Sequence, residues 1–229
     1  MIKRIAGFGC SWIHGDEIDH PTAEPGSREH RLYQEKNCTF GQLSSLLGIK
    51  YDSARVINRG VSGGSLQSTQ WEFSNWMQKN QVGPETLVVV GLTEASRMSW
   101  WNGPNKDNRK YGGRYMHNHW IHPGHPWEDF VKFYYANSDE HKLWSINYWT
   151  AVTFVHNYCS VHGIPLFMFN VFPAPCDMQE VSNSSWNARG YMHSIQNSEG
   201  DVLAPGKHPN EKGSKILAEK LASLININD

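Results

Sequence analysis

A serine near the start of the chain and a histidine near its end each sit in a setting that suits acid–base chemistry. Ser11 closes Gly7-Phe8-Gly9-Cys10-Ser11, directly after the apolar opening from Ile2 to Phe8. A short buried strand that ends in small residues presents such a serine on a tight turn at the carboxyl edge of a sheet. Ligands collect at that edge in open α/β sheets. His208 begins His208-Pro209-Asn210-Glu211-Lys212-Gly213, just ahead of the amphipathic run from Ile216 to Leu224. An imidazole at a helix start can be held in place and aimed back over the sheet. A serine hydroxyl is a poor nucleophile until a base removes its proton, and imidazole exchanges protons near neutral pH. The pair therefore suits attack of Ser11 on an acyl carbonyl, with His208 taking the proton and returning it to the leaving group. A serine after a strand also commonly caps a helix, and a histidine before a helix is often a surface residue. Further segments must separate these readings.

Three do. Asn58-Arg59-Gly60-Val61-Ser62-Gly63-Gly64-Ser65 follows a short apolar segment, and Gly91-Leu92-Thr93-Glu94 follows the apolar run from Leu87 to Val90. With Gly9-Cys10-Ser11 and His208-Pro209-Asn210 they make four blocks in order along nearly the whole chain. This series resembles the SGNH (GDSL-type) hydrolase family. The resemblance implies that Ser11 is the nucleophile and His208 the base, and that Gly63 donates a backbone N–H to the oxyanion. It also brings departures. Cys10 stands for the aspartate of the first block, and Thr93 for the asparagine whose amide completes the oxyanion hole. Pro205 occupies the place of the aspartate in the last block. Thr93 keeps a hydroxyl that can donate one hydrogen bond, although threonine also caps readily. No residue two to four before His208 can carry a negative charge, so the reading is a Ser–His dyad, for which Asp201, looping back to the imidazole, or a backbone carbonyl is the candidate orienting group. Asp16 and Glu17 are expected to steady the segment that follows Ser11.

The elements that must carry these residues alternate along the chain. After the first strand, Phe40, Leu43, Leu46 and Leu47 recur at helical spacing over Cys38 to Leu47, with Gly48 as a stop. Arg55 to Asn58 reads as a second strand, and Ser65 to Asn80 as a helix with Leu66, Phe73, Trp76 and Met77 on one face. Thr86 to Val90 is a buried third strand, Lys142 to His162 a long helix, and Pro165 to Val171 a fourth strand. This alternation predicts an α/β doubly wound parallel sheet. The family resemblance implies the three-layer, flavodoxin-like SGNH hydrolase fold and a fifth strand between Phe172 and Pro205. A single domain over residues 1–229 is expected, carrying an aromatic-rich insertion at about 97–139.

That insertion holds Trp100, Trp101, Tyr111, Tyr115, Trp120 and Trp127 among glycines and prolines. Loops of this length in compact domains commonly serve function, and aromatic faces stack on sugars. Trp100 and Trp101 are therefore expected substrate contacts, unless the rings pack among themselves. His14 and Arg97 are expected at the same edge, on an anionic or hydroxylated substrate. The histidines 117, 119, 122 and 125 lack the spacing of a helical metal site and read as polar loop residues, so no metal is expected.

Composition sets the remaining bounds. A chain of 229 residues buries roughly 70% of its unfolded surface, enough for a full core without disulfides. The formal net charge of −1 provides no field for nucleic acid or anionic lipid. No apolar run approaches the ~20 residues of a membrane span, and Met1 to Ser11 is too short for a signal peptide. Four scattered cysteines favour reduced thiols and a cytoplasmic setting. Neither a phosphate-loop motif nor Gly-x-Gly-x-x-Gly occurs, so no cofactor is expected. The expectation is a serine esterase acting through an acyl-enzyme on a small-molecule or glycan ester, with a carbohydrate O-acetyl ester favoured by the aromatic insertion. Two alternatives remain: an impaired SGNH-like module that binds glycans or serves as a structural part, and an O-acyltransferase.

Overall fold

A computed structural model describes residues 2–52, 54–101, 115–117, 128–137, 140–173 and 187–225, the backbone alone at residues 100–101, 115–117, 135, 137 and 140–141. β1 (Arg4–Gly9) lies between β2 (Val56–Gly60) and β3 (Thr86–Leu92), and β3 pairs on its far side with a strand at Leu166–Asn170. All three pairings are parallel. Side chains alternate between two buried faces, which is why β3 reads as an uninterrupted apolar run. Ile5, Leu87, Val89 and Phe169 enter one core with α3 (Thr39–Leu46) and the last helix, Glu211–Leu224. Ala6, Phe8, Val88 and Val90 enter the other, against α4 (Leu66–Lys79) and a long helix at Glu140–Val161. The result is an α/β sandwich of three layers around a four-stranded parallel sheet.

The chain leaves β1 for β2 on one side and returns to β3 on the other. The order reverses between β1 and β3, and the crevice outside the carboxyl ends of those strands is where such sheets bind ligands. α1 (Ser11–His14) lies across that edge. It can do so because a row of glycines runs beneath it: Gly9 is in register with Gly60 on one neighbour and with Gly91 on the other. A Cβ at Gly60 would meet the His14 backbone nitrogen at 2.4 Å, and one at Gly91 would meet Ile13 Cγ1 at 2.9 Å. Asn58 ties the same region together, donating from Nδ2 to Ile13 O at 2.7 Å and accepting the Gly60 N–H at 2.9 Å.

Elsewhere the fold adds elements that the sequence does not announce. α2 (Arg28–Asn37) buries only His30 within the helix, so it has little apolar periodicity. Within the insertion, β4 (Ser99–Trp101) pairs antiparallel with β5 (Tyr115–His117), and α5 (Glu128–Asn137) follows. Residues 102–114, 118–127 and 138–139 lie outside the described residues, and with them Tyr111, His119, Trp120, His122, His125 and Trp127. α6 (Glu140–Val161) begins two residues before the expected Lys142, and β6 (Leu166–Asn170) is the fourth strand of the sheet. Of the expected fifth strand, the described residues show one parallel bridge, between Asn187 and Asn170. Asn187 then caps α7 (Ala188–Glu199), its side chain accepting the Gly190 N–H at 2.7 Å, so the chain turns into a helix after one bridge. Residues 174–186 lie outside the described set.

Gly60→Ala places a methyl group against backbone that cannot rotate away. It is expected to cost about 1–3 kcal/mol, read as a lower urea midpoint at unchanged slope. An unchanged midpoint would mean that α1 is not seated on the glycine row.

Candidate active site

Ser11 is the first residue of α1 and is 4% exposed, so its hydroxyl is presented at the sheet edge with little freedom. His208 sits in a tight loop before α8 (Glu211–Leu224). Ala204 donates to the His208 carbonyl at 2.8 Å, Leu203 bridges Pro209, and Asn210 caps the helix by accepting the Gly213 N–H at 2.9 Å. This frame brings His208 Nε2 within 2.8 Å of Ser11 Oγ.

The other face of the imidazole meets Glu17. His208 Nδ1 lies 2.6 Å from Glu17 Oε2, which also accepts the His208 backbone N–H at 3.3 Å. Glu17 Oε1 accepts the Gly206 N–H at 2.7 Å. An ionised carboxylate can only accept, so the imidazole proton sits on Nδ1 and Nε2 is left to take the hydroxyl proton of Ser11. Partial burial pushes the Glu17 carboxyl up, but the bonds from the His208 ring and the Gly206 and His208 backbone outweigh it and hold it below the ordinary value. Glu17 adopts φ 65°, a conformation costing about 1–2 kcal/mol in a non-glycine residue. The three hydrogen bonds offset that strain.

Asp201 does not reach the imidazole. Its side chain is exposed, and its carbonyl accepts from Asn210 Nδ2 at 3.1 Å, so it braces the α8 cap instead. The carboxylate comes from the serine's side of the molecule, six residues after Ser11, where the expectation for Glu17 was only a local one. Asp16, its neighbour, is also engaged. Asp16 Oδ1 accepts from His14 Nδ1 at 2.6 Å, and Asp16 Oδ2 accepts from Ser62 Oγ at 2.5 Å. Desolvation raises the Asp16 carboxyl, but the hydrogen bonds from His14 and Ser62 lower it further.

A cavity of about 330 Å³ opens over Ser11 and His208, lined also by Trp12, Asp16, Ser62, Gly63, Arg97, Phe172, Arg189, Gly206 and Lys207. Gly63 has φ 67° within the turn closed by Gly64 N–H donating to Val61 O, a geometry that favours glycine. Arg97 reaches the cavity as expected from its position after β3, whereas His14 is not in the lining and turns to Asp16. Thr93 is 2% exposed and also outside the lining, and its Oγ1 has no hydrogen-bond partner among the described residues. The side chains of Trp100 and Trp101 lie outside the described residues.

No family model matches the chain, and no curated protein matches it. Among solved structures, a member of the lipolytic protein G-D-S-L family from Veillonella parvula aligns over 97% of this chain and 98% of its own, at 14% identity and a TM-score of 0.41. A carbohydrate esterase whose active site displays divergent catalytic and non-catalytic binding functions aligns over 97% of this chain, at 15% identity and a TM-score of 0.46. This chain covers 64% of the latter.

Arg189 and Lys207 are cavity residues that sequence reasoning missed. Arg189 belongs to α7, which follows an Asn-, Ser- and Pro-rich stretch that reads as loop, and Lys207 lies in the loop before His208. No helix among the described residues is long and apolar enough to cross a membrane. Cys10, Cys38 and Cys159 are buried and free, and burial pushes the Cys38 thiol up to about 11. Cys176 lies outside the described residues.

Because the Glu17 carboxyl is lowered on folding, its contribution to stability is fully present above the ordinary value of 4.5 and is lost as pH falls through the lower folded value. Glu17→Gln should therefore flatten the acid limb of a stability-versus-pH curve measured by urea denaturation. Asp16, lowered in the same sense, leaves a residual slope. An acid limb identical to the wild type would dissociate Glu17 from the His208 loop.

Proposed function

We propose that the protein is a serine ester hydrolase of the SGNH type that works through an acyl-enzyme on Ser11. The observation that carries this reading is the series Ser11 Oγ, His208 and Glu17, with separations of 2.8 and 2.6 Å, of which Ser11 and His208 line a cavity. Ser11 attacks the acyl carbonyl while Nε2 of His208 takes its proton. Glu17 fixes the tautomer and stabilises the imidazolium that forms. His208 returns the proton to the leaving alkoxide, and water, activated by the same nitrogen, releases the acid.

The oxyanion is stabilised by backbone N–H groups of Ser11 and Gly63, the latter held in its turn by the Ser62–Asp16 bond. Thr93 is the third donor proposed. Its buried, unpartnered hydroxyl is the kind of group that stable cores avoid unless it is used. The binding-module alternative rested partly on a missing acid, and Glu17 supplies a carboxylate by another route. A carbohydrate O-acetyl ester is the substrate proposed, supported by the aromatic density of residues 97–139.

A fluorophosphonate probe should label the wild type and leave Ser11→Ala and His208→Ala unlabelled. Glu17→Gln should lower turnover of 4-nitrophenyl acetate by up to ~10⁴-fold, while Asp201→Asn stays near the wild type. Absence of labelling in the wild type would favour the binding module, and equal labelling of all variants would remove Ser11 from the chemistry.

Thr93→Val replaces an orphan hydroxyl with a methyl group. It should stabilise the fold by about 1 kcal/mol and reduce turnover ~10-fold or more. A higher melting temperature with unchanged turnover would leave the oxyanion to the two backbone donors.

A further inference from the structure

Three cationic side chains, Arg97, Arg189 and Lys207, line the cavity above Ser11, in a chain whose net charge is −1. The positive charge is local. Among the described residues the only carboxylate in the lining is Asp16, which has both oxygens committed to His14 and Ser62. Arg97 and Arg189 converge on one aromatic ring, with their guanidinium carbons 4.9 and 5.2 Å from the centroid of Phe172. The Arg97 side chain is 16% exposed, yet its ion partner Glu94 is itself half exposed and stands 3.7 Å from Nε. Arg189 has no carboxylate within ion-pair distance among the described residues. Two like charges held on one ring, one of them largely desolvated, are costly unless an anion joins them. A guanidinium offers a planar fork that matches a carboxylate with two parallel hydrogen bonds.

We infer that Arg97 and Arg189, with Lys207 at the rim, form a subsite for a carboxylate on the alcohol portion of the ester. The natural substrate is then an acyl ester of an acidic alcohol, such as a carboxylate-bearing sugar. This deepens the hydrolase reading and rests on it for the position of the ester bond, but the anion subsite can be measured without turnover. Phe172 supplies an apolar wall between the two cations, so an aromatic acid is a suitable probe.

Two measurements test it at about pH 7. The first compares kcat/KM for 4-acetoxybenzoate with that for the neutral 4-acetoxybenzamide. The wild type should favour the acid ~10-fold or more, consistent with a charged hydrogen-bonded pair. Arg97→Met or Arg189→Met should cut that ratio ~5-fold or more, and Arg189→Lys should restore part of it. The second measures binding of 4-hydroxybenzoate and 4-hydroxybenzamide by calorimetry. The acid should bind more tightly to the wild type, and the two compounds should become equivalent in the Arg97→Met, Arg189→Met double variant. Equal binding of acid and amide to the wild type would overturn the subsite, whatever the turnover. Preferential binding that the arginine variants abolish, with neither ester hydrolysed, would uphold the subsite and overturn the hydrolase reading instead.

Discussion

Ser11 reaches the carboxyl edge of the sheet because the strand ends beneath α1 carry no side chains. In a parallel sheet the last residues of neighbouring strands normally raise a ridge of Cβ atoms toward whatever covers them. Here Gly9, Gly60 and Gly91 lie side by side in register; the α1 backbone packs directly on Gly60, and the Ile13 side chain fills the space over Gly9 and Gly91. That approach lets a four-residue helix rest on the carboxyl ends of β1 and β2, with the Ile13 side chain reaching over Gly91 of β3. It also determines where everything after Ser11 must go. Gly15 turns the chain in the left-handed region, Gln34 donates to its carbonyl at 2.8 Å, and Glu17 emerges facing the loop that carries His208.

The polar network around this edge divides into two parts with separate tasks. Glu17 spans the His208 ring and two backbone N–H groups of the same loop, so one carboxylate orients the imidazole and holds its loop. Asp16 spans His14 and Ser62, and so ties α1 to the turn containing Gly63. Adjacent residues on one turn thus reach in opposite directions, one toward the proposed base and one toward the proposed oxyanion donor. A displacement of α1 would move both together.

Much of this was legible in the sequence, and the parts that were not share a physical reason. β1, β3, β6 and α4 declare themselves because their side chains are sorted by burial, with period two or near 3.6. Ser11 and His208 declare themselves through flanking residues that fix the backbone: small residues before the serine, proline and a helix cap after the histidine. Glu17 carries no such mark. Its partner lies 191 positions away, and only the fold reveals that the segment after Ser11 passes under the His208 loop. Asp201 looked the better acid because it lies near His208 along the chain, yet its loop directs the carboxylate to solvent. α2 and α7 escaped for different reasons: α2 is almost wholly polar and buries only His30 within the helix, whereas α7 does repeat Ala188, Tyr191, Met192 and Ile195 on one face but follows an Asn-, Ser- and Pro-rich stretch that reads as loop.

The separation between the reacting groups has a consequence during biosynthesis. Ser11 and His208 are 197 residues apart, and synthesis proceeds from the amino end. At ~5–20 residues per second, roughly 10–40 s pass between the making of the serine and the making of its proposed base. Through that interval the nascent chain bears an ordinary alcohol, because neither the imidazole nor the loop that grips Glu17 yet exists. The proposed centre comes into being only once the loop ahead of the last helix has docked on Glu17, so an unfinished chain carries no imidazole with which to activate the serine.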